Sequence, residues 1–193
     1  PVAGWSDLMA DTLRPQWPAE LIEKAAAIRL LALDVDGIMT DGTLLFSASG
    51  DEMKGFNILD GLGIKQVTAA GINVAVITGR RSPLTEKRMN DLGIPHLMQG
   101  REDKKVALRE LAAQLEIAPH QIAYMGDDLP DLPAIRYAGL GITVPNGYWL
   151  VRQHADFCTS AAGGSGAVRE ACELLLCACG QLNASLQPYL EQD

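Results

Sequence analysis

Two carboxylates, Asp34 and Asp36, stand directly after the apolar run 30–33 (LLAL). Alternate side chains of a β-strand point to the same face, so both carboxylates lie on one side of the chain. They repel each other at an apolar strand end unless a cation or a shared proton offsets their charge. A bound Mg²⁺ would supply that cation, and Asp127, which follows another apolar run, offers a third oxygen ligand. The pattern therefore predicts a magnesium site that includes Asp34, Asp36 and Asp127.

The same region carries the groups that phosphoryl transfer needs. One carboxylate of such a pair can attack phosphorus, while its neighbour protonates the leaving oxygen and later deprotonates water. Thr78, with the backbone N–H groups of Gly79 and Arg80 at the start of the next helix, can hold the phosphoryl oxygens. Lys104 adds a compact positive charge. Because phosphoryl transfer is catalysed mainly by positioning and charge neutralisation, these residue types predict a phosphoryl-transfer enzyme.

These polar residues follow the predicted strands of one sheet. From residue 29 onward, short apolar runs alternate with longer amphipathic stretches, a pattern typical of a parallel sheet covered by helices. Ligands of open α/β sheets collect at the carboxyl ends of the strands. We therefore predict an α/β fold with a Rossmann-like open sheet of about six parallel strands flanked by helices. The predicted strands are 29–35, 73–78, 96–99, 121–126, 141–144 and 156–159, and the predicted helices are 18–27, 61–70, 82–92, 103–115, 129–137 and 167–178.

One segment interrupts the alternation of strands and helices. The short stretches 43–46 and 52–56 favour β-structure and are separated by a turn-rich run, SASGD. We therefore expect an inserted β-hairpin after the first strand. No other sizeable insertion is visible, which predicts one domain over residues 1–193 without a cap domain. Within it, residues 1–17 are expected to form a loose arm, and residues 160–193 a glycine-rich segment, a C-terminal helix and a tail.

Composition excludes several partners and locations. The formal net charge of −8 would repel a nucleic acid or an anionic membrane. The sequence has neither an apolar run of membrane-spanning length nor a basic-then-apolar signal pattern, so we expect a cytoplasmic protein. The four cysteines include no CxxC pair, which argues against a zinc or redox site. Three of them, Cys172, Cys177 and Cys179, lie in an apolar helical run and are expected to be buried.

Four short motifs carry a resemblance to a known superfamily. In chain order, DVDG (34–37), TGR (78–80), Lys104 and GDDLPD (126–131) match the four motifs of the haloacid dehalogenase superfamily. Within it, residues 28–182 resemble the family of phosphatases that act on 3-deoxy-D-manno-octulosonate 8-phosphate. The resemblance rests on DVDGIMTDG, KGFNILDGLGIK, VITGRR, LGIPHLMQG, YMGDDLPDLP and GGSGAVRE.

The resemblance implies an Mg²⁺-dependent phosphoric monoester hydrolase of lipopolysaccharide precursor synthesis. It would release phosphate from 3-deoxy-D-manno-octulosonate 8-phosphate through an aspartyl-phosphate intermediate. Asp34 resembles the nucleophile and a metal ligand, and Asp36 resembles the general acid and base, with its backbone carbonyl on the metal. Asp127 matches the other metal ligand, with Asp131 as its support. The matching substrate-binding positions are Asp36, Asn57, Ile58, Leu59, Asp60, Gly61, Lys65, Thr78, Gly79, Arg80, Arg88 and Lys104.

The family resemblance also implies a homotetramer without a cap domain. In that family the inserted hairpins assemble the tetramer, and a neighbouring subunit, including its glycine-rich C-terminal segment, helps to close each active site. This chain differs from the family pattern in places. Ser160 and Ser165 stand where the family often has arginine, and the run PNGYW (145–149) is also unusual.

Alternative functions stay open from the sequence. The same chemistry would suit a phosphatase of a nonulosonic (sialic-type) acid 9-phosphate. A related domain could instead be a non-catalytic oligomerisation or regulatory module, although a complete acid, base and metal set is hard to explain in a scaffold. Asp36 favours phosphate chemistry over dehalogenation, and the missing cap insertion argues against a phosphomutase. A calcium-binding loop is excluded, since Met39 and Leu45 stand where such a loop needs Gly and Glu.

Overall fold

A computed structural model describes residues 15–190 of the chain. In chain order the strands are β1 Leu30–Leu33, β2 Leu45–Phe46, β3 Glu52–Met53, β4 Asn73–Thr78, β5 His96–Gln99, β6 Ile122–Met125, β7 Leu140–Thr143 and β8 Phe157–Cys158. The α-helices are α1 Ala19–Ala26, α2 Ile58–Ala69, α3 Pro83–Leu92, α4 Lys104–Gln114, α5 Leu132–Ile135, α6 Trp149–His154, α7 Ala167–Ala178 and α8 Leu182–Leu190, and a 3₁₀ turn spans Pro119–Gln121.

Six of these strands form one parallel sheet in the order β5-β4-β1-β6-β7-β8. The predicted α/β fold with a six-stranded parallel sheet is therefore confirmed. β1 lies between β4 and β6, and Leu33 is aligned with both Val76 and Met125. This register places the residues that follow three strands at one edge of the sheet.

Helices cover both faces of the sheet. Alternate residues of β1 point to opposite faces, since Leu31 and Leu33 belong to one core cluster and Leu30 and Ala32 to the other. The first cluster packs against α1, α2, α3, α7 and α8, and the second against α4, α5 and α6. Apolar burial on both faces stabilises the sheet and fixes the strand ends that carry the polar residues.

The inserted hairpin is confirmed as the antiparallel pair of β2 and β3, with Leu45 opposite Met53 and Phe46 opposite Glu52. It is shorter than predicted, because only two residues of each strand are paired. Its apolar side chains stay in solvent: Leu45 is 49% exposed, Phe46 60% and Met53 53%. Residues 15–190 therefore leave about half of each of these side chains uncovered.

Four helices differ from the prediction. The helix α2 begins at Ile58 instead of residue 61, because the Asn57 side chain caps it by accepting a hydrogen bond from the Leu59 N–H at 2.8 Å. The helix α5 is a single turn, since the preceding residues form a loop around Asp131. The helices α6 and α8 were not predicted, and Pro188 inside α8 argues against a helix when only the sequence is considered.

Several expectations concern the ends of the chain and its cysteines. Most of the predicted N-terminal arm, residues 1–14, and the end of the tail, residues 191–193, lie outside the described residues. Cys172 is buried as expected, whereas Cys179 is exposed because it lies just beyond the end of α7; this part of the prediction was wrong. Between residues 15 and 190, each helix is too short or too polar to cross a lipid bilayer.

Candidate active site

A cavity, here called the carboxylate cavity, opens where the chain leaves β1, β4 and β6. The sheet register brings these three strand ends together, although the residues are far apart in the sequence. The lining includes seven predicted site residues: Asp34, Asp36, Thr78, Gly79, Arg80, Lys104 and Asp127. It also includes Gly42, Glu102, Asp128, Pro130 and Asp131.

Lys104 is buried between two carboxylates. Its Nζ atom lies 3.0 Å from Asp34 Oδ1 and 2.7 Å from Asp131 Oδ1. The first turn of α4 supplies this lysine, and the side chain reaches back across the carboxyl end of β1. A buried cation of this kind is stable only when it is paired, and here both partners are themselves buried. Lys104 can therefore neutralise charge beside Asp34.

Asp131 supports the loop that carries Asp127. Its Oδ1 atom accepts a hydrogen bond from the Tyr124 hydroxyl at 2.8 Å, in addition to the one from Lys104. Its Oδ2 atom accepts from the backbone N–H groups of Asp127 and Asp128, each at 3.2 Å. Because both carboxylate oxygens accept hydrogen bonds, Asp131 fixes the position of Lys104 relative to the loop that carries Asp127.

Burial dominates the electrostatics of the cavity. It raises the pKa of Asp34 to about 8, and the charge of Asp131 adds to this while Lys104 opposes it. It also raises the pKa of Asp127 to about 7, again with a contribution from Asp131. Burial lowers the pKa of Lys104, but Asp34 and Asp131 outweigh it, so that the pKa is raised overall. A cation among these carboxylates would offset the cost of ionising them.

The residues fit a magnesium ion. Carboxylate oxygens of Asp34, Asp127 and Asp131 all lie within 4.8 Å of one another. Asp127 Oδ1 is buried and has no hydrogen-bond partner among the described residues, as expected of an atom that serves a cation. Gly37 makes room for this carboxylate, since a Cβ at that position would lie 2.2 Å from Asp127 Oδ2. An all-oxygen set of this kind matches the preference of Mg²⁺.

The carboxylate of Asp36 faces the inserted hairpin and not the three clustered carboxylates. Lys54 donates a hydrogen bond to Asp36 Oδ1, and Arg80 Nε lies 3.7 Å from Asp36 Oδ2. The side-chain carboxylate of Asp36 is therefore not part of the acidic cluster that the structure brings together. Lys54 and its hairpin neighbour Glu52 were not singled out from the sequence. Lys54 follows directly after the two-residue strand β3, and no regular pattern in the sequence indicates that both side chains turn toward Asp36.

The predicted sugar-binding residues divide among different environments. Asn57 and Ile58 line a second cavity together with Asp41, Phe56 and Ser165. Lys65 and Leu59 are exposed on α2, and Asp60, Gly61 and Arg88 line neither cavity. Asp60 and Arg88 make contacts within the chain: the Asp60 carboxylate accepts a hydrogen bond from the Arg169 N–H at 2.8 Å, and Arg88 donates to the Asn57 carbonyl at 3.3 Å.

The glycine-rich segment packs against the loop that follows Asp36. The Gly164 N–H donates to the Ile38 carbonyl at 2.9 Å, and a Cβ at Gly163 would lie 1.7 Å from the Gly37 carbonyl oxygen. The Gly163 N–H donates to Asn146 Oδ1 at 3.1 Å, so the unusual run 145–149 anchors this segment. The same run contacts the loop that carries Asp127, because the Tyr148 N–H donates to the Asp127 carbonyl at 2.8 Å.

Known proteins resemble this chain in sequence. Residues 94–170 match a family profile described as haloacid dehalogenase-like hydrolase. The 3-deoxy-D-manno-octulosonate 8-phosphate phosphatase of Escherichia coli (strain K12) is 47% identical over 165 residues, which make up 86% of this chain and 88% of that protein. The similarity therefore extends over most of both chains.

Solved structures of similar proteins also have the same fold as this chain. A probable YrbI family phosphatase from Pseudomonas syringae pv. phaseolica superposes with a TM-score of 0.89 at 50% identity, covering 91% of this chain and all of that one. The 3-deoxy-D-manno-octulosonate 8-phosphate phosphatase of Moraxella catarrhalis, solved in complex with magnesium, phosphate and the sugar acid, gives a TM-score of 0.87 at 46% identity, with coverage of 88% and 98%.

Proposed function

Because the chain belongs to the 3-deoxy-D-manno-octulosonate 8-phosphate phosphatase family of haloacid dehalogenase-like hydrolases, we propose that it hydrolyses this phosphate ester to the free sugar acid and inorganic phosphate. The observation that carries the proposal is the carboxylate cavity, where Asp34 lies beside Lys104, Asp127 and Thr78. The nonulosonic acid and scaffold alternatives gain no support, because the relatives are named for the eight-carbon substrate.

In the proposed reaction, an Asp34 oxygen attacks phosphorus and the bond from phosphorus to the sugar oxygen breaks. Asp36 donates its proton to that leaving oxygen. Water then attacks the aspartyl-phosphate while Asp36 takes up a proton from the water. Phosphate departs, and the Asp34 carboxylate and the protonated Asp36 are restored, so that the cycle is balanced.

The chain's own groups position the phosphate. Lys104 lies 3.0 Å from Asp34 Oδ1 and would offset the negative charge that approaches it. Thr78, buried at the end of β4, and the backbone after it line the same cavity. Asp34, Asp127 and the Asp36 backbone carbonyl would hold Mg²⁺, which would neutralise charge on the transferring phosphoryl group.

Phosphate release from the sugar-acid phosphate tests this function. Asp34→Asn should abolish turnover, because the amide is a poor nucleophile, and EDTA should abolish the activity of the unchanged protein. Asp91→Asn, at an exposed aspartate of α3, serves as the control and should retain activity. Full activity of Asp34→Asn, or a higher kcat/KM for a nine-carbon sugar-acid 9-phosphate, would contradict the proposal.

We further propose that the protein acts as a cytoplasmic homotetramer. The family resemblance supports this assembly, and so do the exposed apolar side chains of the hairpin. A contiguous exposed apolar surface on a globular protein commonly marks a contact with another chain. The second cavity, lined in part by Asn57 and Ser165, borders the same hairpin and would lie close to that contact.

A further inference from the structure

Two acidic and two basic side chains form a closed ring beside the carboxylate cavity, here called the charge ring. Lys54 donates to Asp36 Oδ1, and its Nζ atom lies 3.6 Å from Glu52 Oε1. Arg80 contacts the same two carboxylates, with Nη2 2.9 Å from Glu52 Oε1 and Nε 3.7 Å from Asp36 Oδ2. Each cation therefore contacts both anions, and the ring joins the hairpin to the ends of β1 and β4.

The hairpin fixes the position of Lys54 in this ring. Glu52 and Lys54 are two residues apart and face Asp36, whereas Met53 between them points into solvent. Pairing of Phe46 with Glu52 holds this strand in register. The Lys54 side chain is only 3% exposed, while that of Arg80 is 44% exposed. Lys54 is thus the enclosed cation of the ring, and Arg80 keeps access to solvent and substrate.

We propose that Lys54 is a positioning residue, which holds the Asp36 carboxyl group where it can donate a proton to the leaving sugar oxygen. Of the two cations, Lys54 makes the closer contact with Asp36 and occupies only the Oδ1 atom in the contacts described. Removing one partner of an enclosed ion pair leaves the other uncompensated and free to reorient. This inference rests on the proposed function, because it acts through the acid role of Asp36.

Two kinds of substrate distinguish a positioning role of Lys54 from a purely structural one. A sugar alkoxide is a poor leaving group and needs a proton as it departs, whereas p-nitrophenolate departs as a stable anion. If Lys54 serves Asp36, its loss slows the sugar-acid phosphate far more than p-nitrophenyl phosphate. A purely structural role would slow both substrates equally, because both use the same nucleophile and phosphate-binding groups.

The experiment compares kcat/KM for both substrates in Lys54→Met, Lys54→Arg and Asp36→Asn, because kcat/KM covers the steps up to departure of the leaving group and not the later hydrolysis of the aspartyl-phosphate, which both substrates share. Lys54→Met should lower kcat/KM for the sugar-acid phosphate by about tenfold or more and for p-nitrophenyl phosphate by less than about threefold, as expected when general acid assistance is weakened. Lys54→Arg should recover part of the loss. Lys87→Met, at an exposed lysine of α3, is the control and should change neither rate.

Each outcome decides between two hypotheses. Asp36→Asn is expected to slow the sugar-acid phosphate more than p-nitrophenyl phosphate. If it does so but Lys54→Met slows both substrates equally or slows neither of them, the positioning role is wrong and the proposed function stands. If Asp36→Asn itself does not discriminate, the acid role of Asp36 fails, and the positioning role fails with it. If Lys54→Met does not fold, Lys54→Arg decides: its shifted charge should cause a smaller loss with the same substrate preference, and an equal loss overturns the inference.

Discussion

Asp131 contacts four groups of the carboxylate cavity without being predicted to touch the reacting atoms. It binds Lys104 and Tyr124 through one oxygen and two backbone N–H groups through the other. Gly126 leaves space for it, since a Cβ there would lie 2.4 Å from the Asp131 carboxyl carbon. The Asp131 side chain therefore couples the position of Lys104 to that of the loop that carries Asp127.

Asp131→Asn should weaken Mg²⁺ binding and slow turnover together. The amide keeps the shape but loses the charge that holds Lys104, and its NH₂ group cannot accept the hydrogen bonds that Asp131 now accepts. Supporting residues of metal sites typically contribute about 10- to 100-fold in affinity or activity. The Mg²⁺ dependence of kcat measures both effects.

Tyr124→Phe is the matched control for Asp131→Asn. It removes one hydrogen bond to Asp131 Oδ1 and leaves the other three in place. We expect a loss of about 1 kcal/mol in the free energy of unfolding, with a small change in Mg²⁺ affinity. If Tyr124→Phe weakened Mg²⁺ binding as much as Asp131→Asn, the coupling would not depend on the charge of Asp131.

Mg²⁺ affinity should increase with pH. In the folded chain the pKa of Asp34 is about 8 and that of Asp127 about 7, both raised by burial from the ordinary value of 3.8. Because the folded state then binds more protons than the unfolded state, metal-free stability should fall as pH rises from about 4 to about 8. Mg²⁺ binds the ionised carboxylates and should release these protons.

Thermal unfolding measures this linkage directly. The increase in Tm caused by a fixed Mg²⁺ concentration should be small at pH 6 and larger at pH 8 or above, near and beyond the two raised pKa values of about 7 and about 8. Calorimetry in buffers of different ionisation enthalpy should detect proton release at pH 7. An Mg²⁺ effect that is constant across this range would contradict the raised pKa values of Asp34 and Asp127.

At the scale of elements, the glycine-rich segment contacts the loop that follows Asp36, here called the β1 loop. This contact depends on the absence of a side chain at Gly163. A Cβ there would lie 1.7 Å from the Gly37 carbonyl oxygen, which is backbone and cannot rotate away. Gly163→Ala should therefore displace the β1 loop, lower the free energy of unfolding by about 1–3 kcal/mol and reduce kcat.

Urea denaturation of Gly163→Ala and Gly55→Ala tests this contact. A Cβ at Gly55 would meet no atom within 4 Å, so the control should retain the stability of the unchanged protein. Equal unfolding midpoints for the two variants would show that the segment moves aside without cost.

The sequence predicted the bounds of β4 and β5, because both short runs end at a polar residue. β4 is largely buried up to Thr78, whereas β5 is only partly buried up to Gln99. α7 also matches, whereas α2 starts early through the Asn57 cap and α5 is shortened by the hydrogen bonds to Asp131. The bounds of α2 and α5 differ from the prediction because side chains form hydrogen bonds with the backbone there. Such contacts cannot be inferred from the spacing of apolar residues.

The site was predictable as far as it follows strand ends. Asp34, Thr78 and Asp127 meet because parallel strands present their carboxyl ends at one edge. The contacts of Lys54 with Asp36 were not predictable, because they depend on how the hairpin folds back over β1. A short exposed hairpin has no periodic signal that fixes this direction.

At the scale of the whole molecule, the exposed apolar face of the hairpin should determine assembly. Phe46→Glu places a charge where the proposed homotetramer would bury a ring that is 60% exposed in the single chain. We expect this variant to elute as a smaller species, with its molar mass measured by light scattering. Tyr189→Glu, at a residue of α8 that is 58% exposed, is the control. An unchanged mass for Phe46→Glu would place any subunit contact elsewhere.

The central position of β1 also decides when activity returns during refolding. Leu33 must pair with Val76 on one side and Met125 on the other before Asp34 can meet Asp127. These pairings close long loops, and such non-local contacts make folding slow. Recovery of turnover after dilution from denaturant should therefore coincide with the slowest burial of the sheet, and a fragment that ends before β6 should have no catalytic activity.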